Sequence, residues 1–216
     1  MGVKLPNGAI FSIASGYSAE HTMASISNAL EAVATLEDGH AVIAGQILVV
    51  GSGWTGLDGR VARAKSVLID AVTLEKIDTT DADRFLAGSG GGKVRAVTDW
   101  TEIQQITDFA TSGGDQNFAN YSFLSDDEER QLPTTKSPTS IKIKTADDPE
   151  LQHNAVLEKA DLDRQPRVFR LKLPGGSAIY YNGYVSFNQT PSMGKNNIME
   201  VTTSLSLISR LTRYAA

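Results

Sequence analysis

No cysteine occurs among the 216 residues, which removes disulfides, thiolate nucleophiles and cysteine metal sites together. Histidine is scarce as well. His21, His40 and His153 stand far apart and no two fall at a ligand spacing such as i, i+4, so no metal site is read. Long apolar runs are missing: the longest, residues 41–50, is broken by Gly45 and Gln46 and falls far short of the roughly 20 residues a membrane span needs. A soluble chain with no membrane partner is expected. Residues 1–8 hold one Lys and no apolar run of signal-peptide length, from which synthesis and folding in the cytosol are expected. Positive charge is in deficit, and a net charge of −5 argues against a surface that grips phosphates with Lys and Arg.

Signatures of catalysis are missing too. There is no GxSxG, no HExxH and no paired histidine set, so neither an enzyme nor a cofactor is expected. Asp78-Thr79-Thr80-Asp81-Ala82-Asp83 has the look of a calcium loop but lacks its glycine and terminal Glu, and reads as a turn. In Gly88-Ser89-Gly90-Gly91-Gly92-Lys93 a phosphate loop would need Ser or Thr after the lysine and a helix beyond; Val94 follows, and the next segment reads as strand. Aromatics at 7% are too few to insist on a carbohydrate-binding β-sandwich with Trp54 or Trp100 as its stacking platform.

What is present is alternation. Gly, Ser, Thr and Asn punctuate short runs of period two over most of the chain, the pattern of a mainly β protein. Residues 9–14 read as a strand after the turn residues Pro6, Asn7 and Gly8, whereas residues 22–36 show no clean period and leave helix and strand open. Residues 39–80 read as a small β unit, with strands at 46–50, 60–68 and 71–77 around a glycine-rich turn at 51–59. The glycines of 88–92 read as a flexible joint, dividing a segment 1–92 from a domain 93–216.

Beyond the joint the period is plain. In residues 119–123 the odd positions are apolar, as in a half-buried strand. Ile141 and Ile143 oppose Lys142 and Lys144; Phe169, Leu171 and Leu173 oppose Arg170 and Lys172. After the turn Pro174-Gly175-Gly176, Ile179, Tyr181, Val185 and Phe187 share one face of a long strand. Residues 189–196 close a hairpin, and Val201, Thr203 and Leu205 oppose Glu200, Thr202 and Ser204. One helix is expected from Asp147-Asp148-Pro149-Glu150 to about Ala160, with the aspartates as caps. Its stripe of Val156, Leu157 and Ala160 lies nearly opposite Leu151 and Ala155, so it is either clamped between two surfaces or held in its own fold. Asp126, Asp127, Glu128, Glu129, Arg130 and Gln131 sit in a run of about a dozen residues without evident structure, either a solvated loop or an arm that touches a partner.

The order of elements in this half resembles the lambda-like siphophage tail tube proteins. The resemblance rests on the strands at 100–109 and 118–124, the acidic loop, the strand at 140–145, and the helix after Asp147-Asp148-Pro149. It is strongest in Leu171-Lys172-Leu173-Pro174-Gly175-Gly176, Tyr181-Asn182-Gly183-Tyr184-Val185-Ser186 and Glu200-Val201-Thr202-Thr203-Ser204-Leu205, and covers roughly residues 98–213. The resemblance implies a two-sheet β-sandwich or barrel with one flanking helix, whose two long hairpins join those of sister copies in an inter-subunit β-barrel. It implies hexameric rings stacked helically in a virion tail assembled in the host cytoplasm, with tail terminator, tape measure and tail tip proteins as partners. Mapped onto this chain, the hairpins are residues 102–124, turning near Ser112-Gly113-Gly114-Asp115, and residues 179–207, turning near 192–196. Glu102, Asp108, Asp115 and Glu200 are the lumen-facing candidates, in an acidic channel through which DNA passes unbound; the acidic run is the inter-subunit candidate. The inner tube of a contractile tail or secretion system shares that fold and stays open as an alternative.

Overall fold

A computed structural model describes residues 7–215; residues 1–6, which carry most of the stretch read for export signals, lie outside it. The chain runs through β1 (Ile10–Tyr17), β2 (His21–Ile26), β3 (Val33–Leu36), β4 (Ile47–Ser52), β5 (Arg60–Leu68), β6 (Ala71–Leu74) and β7 (Gly92–Glu102). Then come β8 (Ile106–Ser112), β9 (Gln116–Tyr121), β10 (Arg130–Lys136), β11 (Ser140–Ala146) and the helix α1 (Gln152–Asp163). Last are β12 (Arg167–Lys172), β13 (Ala178–Ser192), β14 (Glu200–Leu207) and β15 (Thr212–Tyr214). The protein is mainly β with one helix, as expected.

Six strands, β2-β3-β6-β5-β4-β7, close on themselves because β7 pairs back with β2, His21 opposite Val94. Closure removes sheet edges, and Met23, Leu48, Val50, Leu57, Val72, Leu74 and Val94 fill the interior. The β unit expected at 39–80 is therefore the middle of a larger barrel. Its opening strands fall in residues 22–36, where a bulge between Met23 and Ser25 shifts the inward face so that Met23 and Ile26, three apart, are both buried. A bulge of that kind erases period two.

The glycine run is pinned by its neighbours. A Cβ on Gly92 would lie 2.2 Å from the Gly51 carbonyl oxygen, and one on Gly90 would lie 2.4 Å from the Ile26 side chain and 2.7 Å from the Trp54 ring. Ser52 Oγ donates to Gly90 O at 2.8 Å, and Gly53 N to Gly91 O at 3.0 Å. Glycine is needed here because two backbones and an indole approach too closely for any side chain. Strand pairing crosses residue 92: β7 serves the barrel through its first half and pairs β1 through its second, while β1 pairs β12 far along the chain.

From β7 the sheet continues β1-β12-β13-β14-β11-β8. The helix lies across it, burying Leu157 and Ala160 against Phe11, Ile13, Ile141, Ile143, Phe169, Tyr181 and Leu205. A third apolar cluster, with Ala14, Val61, Val97, Tyr180 and Tyr214, seals the barrel against the sheet. The helix starts later than its acids suggest. Leu151 stands at the N-cap with no side-chain bond, while Asp148 Oδ1 accepts from the Glu150 N–H at 3.3 Å in the turn before it. Of the second apolar face, Leu151 is half-buried and Ala155 exposed.

Residues 102–124 do not form the expected hairpin. β8 pairs β11 and β9 pairs β10, so residues 106–146 make one long hairpin whose tip is the acidic run. Ser112 to Asp115 is a bend in its flank: Ser137 N donates to Asp115 O at 2.9 Å and Gly114 N to Ser137 O at 3.2 Å, keeping the two chains together. Gly113 and Gly114 adopt φ of 77° and 83° there, a conformation glycine tolerates. The stretch 130–136, expected as loop, is strand β10, and β9, expected to be half-buried, is exposed along nearly its whole length.

Candidate assembly surfaces

Four strands, β13-β14-β11-β8, form the part of the sheet beyond the helix, and each runs antiparallel to its neighbour. Register places Phe187, Thr203, Ile143 and Phe109 in one row and Val185, Leu205, Ile141 and Thr111 in the next, facing inward. The rows between them face outward: Asn188-Thr202-Lys144-Asp108, Ser186-Ser204-Lys142-Ala110 and Tyr184-Ser206-Ser140-Ser112. This outer face is built of small hydroxyl side chains and a few charges, with almost nothing apolar to cover.

Both margins of this four-stranded unit are open among the described residues. β8 ends the sheet and pairs only β11. On the far side β12 reaches no further along β13 than Gly183, so residues 184–192 pair β14 alone. A single side chain helps there, Asp161 Oδ1 accepting from the Phe187 N–H at 3.3 Å.

Of the four lumen-facing candidates, two share the outer face. Asp108 stands opposite Lys144 in register, and Lys144 Nζ pairs with Glu200 at 3.2 Å. The Thr107 hydroxyl and then Lys144 hold the Glu200 carboxyl below its usual range. Glu102 lies instead at the end of β7 opposite Ser12, and Asp115 in the bend of the long hairpin. Reasoning from charge alone passed over Lys142 and Lys144, although their alternation with Ile141 and Ile143 already placed them on the solvent face.

The long hairpin ends in an exposed arm. Among the described residues β9 and β10 pair only with each other, with Phe118 opposite Pro133 and Tyr121 opposite Arg130. Phe118 and Phe123 are 54% and 59% exposed, and Leu124 and Leu132 are exposed beside them, a concentration of apolar surface that water disfavours. At the tip Arg130 pairs with Asp126 at 3.4 Å, while Asp127, Glu128 and Glu129 face solvent. Gln131 pairs Asn120 in the first rungs of the arm. The second long hairpin, β13 to β14, likewise exposes Met193, Ile198 and Met199 at its turn.

Neither tryptophan offers a stacking platform. Trp54 is buried in the barrel with its indole N–H donating to Leu86 O at 2.8 Å, and the Arg170 guanidinium covers the Trp100 ring at 4.2 Å. No helix is long and apolar enough to cross a membrane among the described residues.

The family model of the phage tail tube protein matches residues 52–216. The chain belongs to that family. The match begins at the end of β4, so the barrel strands β5, β6 and β7 fall inside the tail tube pattern together with every strand of the sheet except β1. A comparison with curated proteins finds no match. Membership gives the protein a structural role in a phage tail tube, a part that self-assembles in the virion tail.

Proposed function

We propose that copies of this tail tube protein close into hexameric rings through the open margins of the four-stranded unit, and that stacked rings enclose the channel through which viral DNA leaves the capsid. One observation carries the reading: the unit has two open margins on opposite sides and an even number of strands. Because the four strands alternate, β8 of one copy and β13 of the next run antiparallel when all copies point the same way. Every joint then satisfies backbone groups that would otherwise invite aggregation. Four strands from each of six copies close a barrel of about 24 strands, wide enough for an aqueous lumen.

The polar outer face is the natural lumen wall, with the apolar face turned to the helix. Asp108 and Glu200 face the channel, while Glu102, at the end of β7, and Asp115, in the bend of the long hairpin, stand outside this wall. At −5 per copy, a ring of six carries about thirty negative charges, a field that keeps a duplex from adhering. Lys144 is tied to Glu200, whereas Lys142, on the same face, has no ion-pair partner among the described residues. The exposed arm, with Asp126 to Gln131 at its end, covers its apolar side chains on a neighbouring copy or the next ring. Head-to-tail stacking of this kind propagates until another protein stops it, in keeping with the terminator, tape measure and tip proteins that the family resemblance implies. The protein acts by assembly, without catalysis and without a cofactor.

Negative-stain electron microscopy of the concentrated protein tests this reading. Hollow rods or stacked rings are expected; a chain that stays single at every concentration contradicts it.

A further inference from the structure

A cleft of about 560 Å³ opens where the barrel meets the end of the sheet. Its walls come from the turn between β4 and β5, the segment after β6, and the link from β14 to β15. Arg60, Lys76, Arg84 and Arg210 line it together with Asp58, Asp78 and Asp81. Each aspartate is engaged by its own loop. Asp58 accepts from Ser52 N at 3.1 Å, Asp78 from Thr80 N at 3.0 Å, and Asp81 from Asp83 N at 3.1 Å. Lys76 donates to the Arg213 carbonyl at 3.0 Å.

The three arginines are different. Among the described residues none of them is within ion-pair distance of a carboxylate, and the Arg60 Nε is shut from water with no hydrogen-bond partner. Burial first, then Arg210 and Arg84, push the Arg60 guanidinium below its ordinary value. Three guanidiniums gathered in one recess whose aspartates are held by their own loops leave donors over for a further anion, because guanidinium forks are suited to carboxylates. The recess is also held in shape. Phe85, under Arg84, packs edge-on against Trp54 with ring centroids 5.2 Å apart, and Ser209 Oγ and Asn182 Nδ2 both donate to Gly59 O.

The complementary group stands elsewhere on the same chain. Asp127, Glu128 and Glu129 crown the projecting arm, exposed and without an ion-pair partner among the described residues. We infer that the arginine cleft receives the acidic tip of the arm of a second copy, Asp127 to Glu129 meeting Arg60, Arg84 and Arg210. The inference rests on the tube reading and names the contact that joins one subunit to another away from the barrel seam. It explains in one step why the arm is acidic only at its tip and why an acidic protein gathers unpaired arginines at one place.

Arg84 and Arg210 are exposed, so the full-length variant Arg84→Glu with Arg210→Glu folds, as its melting curve will show. Sedimentation and negative-stain microscopy are expected to find its polymer yield down about tenfold or more, since two charge-assisted contacts become repulsive. Adding Asp127→Lys and Glu128→Lys to the same chain restores tubes. Tubes at wild-type yield from the arginine variant, or none from the charge-swapped chain, overturn the inference while leaving the tube reading intact. A wild-type chain that never polymerises overturns both.

Discussion

The Arg63 backbone N–H donates to the Tyr214 hydroxyl at 2.7 Å across 151 positions of sequence, and that hydroxyl donates in turn to Glu75 O at 3.2 Å. The Arg63 guanidinium also lies 4.4 Å from the Tyr214 ring centre. One side chain near the C-terminal end thus fastens the sheet to the barrel, whose strands come from the first half of the chain. Tyr214→Phe keeps the ring and strands the Arg63 amide, at a cost of about 1–3 kcal/mol, measurable by denaturant titration. An unchanged midpoint contradicts this role for the seam.

Alkaline pH probes the same contact. Burial pushes the Tyr214 phenol from 10.0 up to about 12. A folded value above the unfolded one means stability is complete below pH 10 and is lost as pH climbs toward 12. Tyr17, Tyr180 and Tyr181 are raised as well, each mainly by burial, so Tyr214→Phe should make the alkaline decline shallower without abolishing it. The same steepness in both proteins would show that Tyr214 does not titrate in this way.

Gly92→Ala drives a methyl into the Gly51 carbonyl. Backbone cannot yield as a flexible side chain does, and a loss of roughly 1–3 kcal/mol or more is expected, seen as a lower melting temperature. Were the glycine run a slack linker, the substitution would leave melting unchanged.

The arm separates folding from assembly. Phe123→Ser with Leu132→Ser alters exposed side chains, and monomer stability should move by less than about 0.5 kcal/mol while polymer yield falls. Removing residues 126–131 should likewise leave a folded chain that does not polymerise, judged by circular dichroism and sedimentation. Normal tubes from either protein reject the arm as an interface.

Much of the sheet could be read from residue order where one face is buried. β11 and β12 are legible because Ile141, Ile143 and Phe169 enter the core while Lys142 and Arg170 do not, and β5 is legible because turns flank it on both sides. The failures have local causes. The bulge in β2 hides its period, and β10 is invisible because a strand paired in open solvent needs no apolar face, so an acidic run beside Pro133 reads as loop. Likewise Asp148 serves a turn before the helix instead of its cap. Carboxylate positions alone could not show that Glu200 is paired with Lys144, nor that Asp115 lies in a bend; register decides both. The arginine cleft was out of reach for a further reason, since Arg60, Arg84 and Arg210 are brought together by three separate loops.

A density map of the assembled tube, resolved well enough to trace strands, examines the seam between copies. The account predicts β8 of one copy hydrogen-bonded antiparallel to residues 184–192 of the next, with Asp108, Lys144 and Glu200 facing the channel. A tube in which β8 remains unpaired, or in which the helix side faces the channel, contradicts it.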